Sequence, residues 1–122
     1  MGRRSRRRQR EAGAPPSGPA STTDYSDEDG NVLTLRDELG AGTLAALERL
    51  DAKPGASLED RWQRRTELLF ERLAVRWEIA GLPLEGQREL LGRYRMASPE
   101  ERRRVREAIA RHLAERHPEV GL

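Results

Sequence analysis

No cysteine occurs in this chain of 122 residues, which excludes disulfides, thiol nucleophiles and cysteine-ligated zinc. There are only two histidines, His112 and His117. They stand five residues apart, with no HExxH spacing and no third ligand, so a histidine-held metal is not expected. His112 borders an apolar face beside Ile109 and Leu113, and His117 falls where a helix C-terminus favours positive charge; both read as structural. No apolar run approaches a membrane span. Arginines open the chain, but Glu11 and a Pro/Gly stretch follow where an export signal needs its apolar core. The expected location is the cytoplasm.

Catalytic signatures are missing as well. The chain holds no nucleophile elbow and no Gly-rich phosphate loop. Glu67, Glu71 and Glu78 share a face with Asp60 and read as a solvated stripe, not as a catalytic pair. Asp27, Asp29 and Gly30 hint at a calcium loop. With Gly30 as its sixth position, however, Tyr25 and Arg36 would stand where acids are required. We therefore expect a protein that is not an enzyme, with no cofactor, no metal and no small-molecule substrate.

Charge is abundant and unevenly placed. Residues 1–20 carry six arginines against one glutamate, whereas residues 21–122 carry 17 basic and 20 acidic side chains. The basic balance thus belongs to an N-terminal arm on a mildly acidic body, a plan common among nucleic-acid-associated proteins. Arg3, Arg4, Arg6, Arg7, Arg8 and Arg10 would neutralise several phosphates, and no aromatic lies among them to add base specificity. Docking of the arm on the acidic stretch Asp24–Asp29 is an alternative use. Of the 23 basic residues only Lys53 is lysine; arginine's fork suits phosphate, but a GC-rich gene accounts for the same bias.

The arm and a Pro/Gly/Ser linker, residues 1–23, are expected to be disordered. Residues 24–38 read as an acidic turn and a short extended segment, with Leu33 and Leu35 alternating against Val32 and Thr34 after Asp29-Gly30. Residues 39–122 read as a helical domain. Thr43 caps a helix over 44–52. The dominant signal is a long spine from Ser57 to Gly81, with Ser57 as N-cap and Gly81 as the left-handed C′ residue. Leu58, Trp62, Leu69, Phe70, Leu73, Trp77 and Ala80 make one apolar stripe on it, and Leu68, Val75 and Ile79 a second. Pro83 opens a third helix over 84–96, and Ser98-Pro99-Glu100-Glu101 starts a fourth that runs to 116. The fold class expected is all-α, a small bundle of about four helices around the spine.

Two functions follow from this reading. The first is a non-enzymatic accessory protein that associates with RNA or DNA through the arm. Arg61, Arg65, Arg72 and Arg76 would add a rail along the spine, unless they lie over its apolar edge and pair with acids. The second is a protein-interaction module, a homodimer or accessory subunit, whose contact is Leu68, Val75 and Ile79.

Overall fold

The computed structural model describes residues 21–52, 55 and 57–120. Its elements in order are β1 (Thr22–Ser26), β2 (Val32–Arg36), α1 (Ala41–Asp51), α2 (Leu58–Leu73), β3 (Ala74–Ile79), β4 (Leu82–Glu85), α3 (Gln87–Arg95) and α4 (Pro99–Arg116). The strands form one antiparallel sheet in the order β1-β2-β3-β4. The all-α expectation is therefore corrected: among the described residues, four helices pack with a four-stranded sheet.

The spine is where the reading fails. α2 begins as expected, with Ser57 Oγ accepting from the Asp60 amide at 3.0 Å. It stops at Leu73, and Ala74 is already extended (φ −69°, ψ 127°). Val75, Trp77 and Ile79 lose side-chain freedom in a helix and suit a pleated surface, so the chain passes straight into β3. Gly81 does adopt the left-handed conformation (φ 80°), but alongside Ala80 (φ 54°) in the two-residue turn that closes Ile79 on Leu82. Positive φ at both central residues is the requirement of a tight hairpin turn. Ala80 is the one described non-glycine residue so placed. Its amide donates to Asn31 Oδ1 at 3.0 Å, which holds the turn against β2. Replacing Ala80 by Gly relieves the left-handed strain, and chemical denaturation should show a gain of about 0.5–1 kcal/mol.

A register shift between Thr34 and Leu35 explains why the strand looked helical. Leu35 lies opposite Ala74, and Thr34 opposite Arg76, so Val75 is an extra residue in β3. The bulge turns both Ala74 and Trp77 into the core. Inward residues three apart then continue the spacing of Phe70 and Leu73 across the helix–strand boundary.

The expected third helix is shortened in the same way. Pro83 sits on the edge strand β4 opposite Glu78, where its missing N–H costs no ladder bond, and α3 begins only at Gln87. Upstream, the turn Asp27–Asn31 is closed by Asp27 Oδ1, which accepts from the amides of Asp29 (2.8 Å) and Asn31 (3.0 Å). The strand it returns to, β1, is polar and turns only Thr23 and Tyr25 partly inward.

The helices cover one face of the sheet. Leu33, Leu35 and Trp77 from the strands meet Leu69, Phe70, Leu73, Tyr94, Ile109 and Leu113 from the helices in one core. Phe70 is fully buried, edge-on to Trp77 (centroids 5.6 Å) and stacked on Tyr94 (4.8 Å), a burial worth about 1.5–3 kcal/mol. The outer face carries Asp24, Thr34, Arg76 and Glu85 in one row across the strands. Thr34 donates to Asp24 at 2.6 Å, and Arg76 faces Glu78 and Glu85. No helix among the described residues is long and apolar enough to cross a membrane.

α4 matches its expected limits and carries a complete capping box: the Glu101 amide donates to Ser98 Oγ (3.1 Å) and the Ser98 amide to Glu101 Oε1 (3.0 Å). The Ser98 amide first, and then Arg93 at 2.9 Å, hold the Glu101 carboxyl below its ordinary value of 4.5. A carboxyl with a depressed folded pKa stabilises the fold above its unfolded value and loses that contribution as pH falls through the folded one. Stability measured against pH should therefore decline below about 4.5, and Glu101→Gln should flatten that limb.

Candidate binding surfaces

α1 and α2 form a helical hairpin fixed by arginines. Arg65 grips both carboxylate oxygens of Asp51 at 3.0 and 3.2 Å, and Arg72 donates to Thr43 Oγ1 at 3.3 Å. Arg61 is half-buried in the first half of α2, and Arg76 lies on the outer face of the sheet. The four do not share one helix face. Arg3, Arg4, Arg6, Arg7, Arg8 and Arg10 lie outside the described residues.

Leu68, Val75 and Ile79 are likewise separated: Leu68 is on α2, Val75 is the bulge residue of β3, and Ile79 stands beside the β3–β4 turn. Leu68 has company of another kind. With Ala46 and Leu50 of α1 it forms the half-buried floor of an open groove of about 440 Å³ between the two helices. Arg49, Arg64, Glu67 and Glu71 flank that floor. On α2 the lining residues 64, 67, 68 and 71 recur at the three- and four-residue steps of one stripe. The groove thus offers apolar contact in its centre and charges of both signs at its edges.

The acidic turn is occupied from within the body. Arg104 of α4 lies 2.6 Å from Asp29, 3.5 Å from Glu28, 3.7 Å from Asp27 and 3.4 Å from Glu100. These ties pin the β1–β2 hairpin onto α4, and a shallow apolar cavity beneath, beside Trp77 and Val105, is lined by Tyr25 and Asp27.

His112 makes a second tie between the same elements. It is fully buried, its Nε2 lies 2.7 Å from the Arg36 carbonyl and its Nδ1 lies 2.8 Å from the Tyr25 hydroxyl. The carbonyl only accepts, so Nε2 carries the proton and Nδ1 accepts from Tyr25 O–H. Burial, ahead of the nearby Glu115 carboxylate, raises the Tyr25 pKa, which keeps the phenol protonated as that donor. His117 Nε2 lies 2.7 Å from the Asp37 carbonyl at the end of α4. Among the described residues no group of three or more His, Asp or Glu could hold a metal ion.

Comparison with protein-family models, with curated proteins and with solved structures finds no match.

Proposed function

We propose that this chain is a cytoplasmic, non-enzymatic protein-interaction module that docks a helix in the α1–α2 groove, and that the occupant is a second copy of the chain. The observation that carries it is the groove itself: an apolar floor of Ala46, Leu50 and Leu68 edged by Arg49 and Arg64 and by Glu67 and Glu71. A twofold axis near Leu68 would set Arg64 of one copy against Glu71 of the other, twice. An isologous contact needs a surface that complements itself in this way. Light scattering coupled to size exclusion tests it with Leu68→Glu, which buries a carboxylate at the axis: the native chain should elute at twice the monomer mass and the variant at the monomer mass. A native monomer contradicts the reading.

A second reading is favoured by the charge division between the arm and the body. In it, the arm associates with RNA or DNA through Arg3, Arg4, Arg6, Arg7, Arg8 and Arg10. Deleting residues 2–11 should then flatten the salt dependence of oligonucleotide binding. An unchanged slope removes it.

A further inference from the structure

Across Glu67 from the groove, α2, α3 and α4 border a separate cleft of about 130 Å³. Its walls include Thr66, Tyr94, Arg95, Arg102 and Arg106. Arg95 is neutralised by Glu67 at 2.5 Å. Arg102 and Arg106 have no acidic partner among the described residues. Arg102 donates to the Arg95 carbonyl at 2.6 Å, and its buried Nε meets no acceptor. Arg106 stacks on Trp62 at 4.6 Å and lines the cleft together with Tyr94.

The neighbours on α4 show that this is not the general state of its arginines. Arg103 is paired with Glu100 and with Glu107, Arg104 meets four acids, and Arg111 meets Glu115. Among the described arginines of α4, the two turned toward the cleft are the ones without an ion pair. Two like charges brought together around a partly enclosed space repel unless an anion enters between them.

We propose that this cleft binds a phosphate group. Two planar forks one turn apart on α4 and a phenol from α3 border the same space, which suits an oxyanion with three or four acceptor oxygens better than a flat carboxylate with two. The phosphate is either free or carried by a nucleotide. The proposal does not rest on the dimer or on the arm.

Trp62 is 39% exposed and lies under Arg106, whereas Trp77 is buried in the core. Withdrawal of Arg106 toward a bound anion therefore changes the Trp62 fluorescence. The full chain is titrated with sodium phosphate, with adenosine monophosphate and with a short oligothymidylate at fixed ionic strength. A saturable change is expected that disappears in Trp62→Phe. The expected loss of affinity is about tenfold or more in Arg102→Met and Arg106→Met, with none in Arg103→Met. If either methionine variant fails to fold, Arg106→Lys keeps the charge but not the fork and should bind several-fold more weakly. Matching affinities for phosphate and the mononucleotide identify the bare group as the ligand, and markedly tighter oligothymidylate binding identifies a nucleic-acid backbone. A response that does not saturate, or equal responses in Arg106→Met and Arg103→Met, overturns the site.

Discussion

Replacing His112 by Leu should destabilise the fold by about 2–4 kcal/mol in chemical denaturation, a large fraction of the stability of a domain this size. Leucine fills much of the space but leaves the Arg36 carbonyl and the Tyr25 hydroxyl without the partners they have at 2.7 and 2.8 Å. An unsatisfied buried group costs about 1–3 kcal/mol, and here two partly buried groups lose their partner together. Tyr25→Phe removes only one of the bonds and should cost about 1 kcal/mol. The pair should be coupled: once His112 is gone, the tyrosine hydroxyl has nothing to donate to, and its removal should cost almost nothing more. Additive losses would mean that the two side chains stabilise the hairpin separately.

The second large effect concerns association. In the twofold arrangement proposed for the groove, Arg64→Glu places carboxylates against Glu71 of the other copy at both ends of the interface. Glu71→Arg does the reverse. Each reversal should weaken self-association by about tenfold or more, because like charges repel twice across a symmetric contact. The double variant Arg64→Glu/Glu71→Arg restores opposite signs and should recover most of the native affinity. Neither side chain is part of the buried core, so the fold should survive all three variants. Recovery in the double variant distinguishes a specific pairing from a general change in charge.

What the sequence made legible was the set of punctuation marks. Ser98-Pro99-Glu100-Glu101 defined α4 because a capping box is local chemistry, satisfied by residues three apart wherever the helix packs. Ser57 defined the start of α2 for the same reason. Leu33 and Leu35 announced β2 by strict alternation, and both are buried. The end of α2 was hidden by two coincidences. The bulge at Val75 gave the strand a three-residue spacing, and Gly81 supplied a left-handed residue that a helix terminus and a hairpin turn use equally. The β-branched and aromatic residues at 75, 77 and 79 were the signal that separated the two readings.

Strand β1 left almost no trace, because its ladder comes from backbone groups and its only large inward side chain is Tyr25. Of the residues singled out for function, Leu68 lines the groove. The cleft of Arg102 and Arg106 was not anticipated, since consecutive arginines on α4 diverge around the helix. Which of them find acids depends on α2, α3 and the β1–β2 turn.

Sedimentation equilibrium of the full chain, from about 1 to 100 µM, decides whether the groove joins two copies, because a dimer of micromolar affinity passes through its midpoint within that range. A dimer through the groove gives a reversible rise from monomer to twice the monomer mass, moved to higher concentration by Arg64→Glu and brought back by adding Glu71→Arg. A single monomeric species at every concentration, or a dimer indifferent to both substitutions, would contradict it.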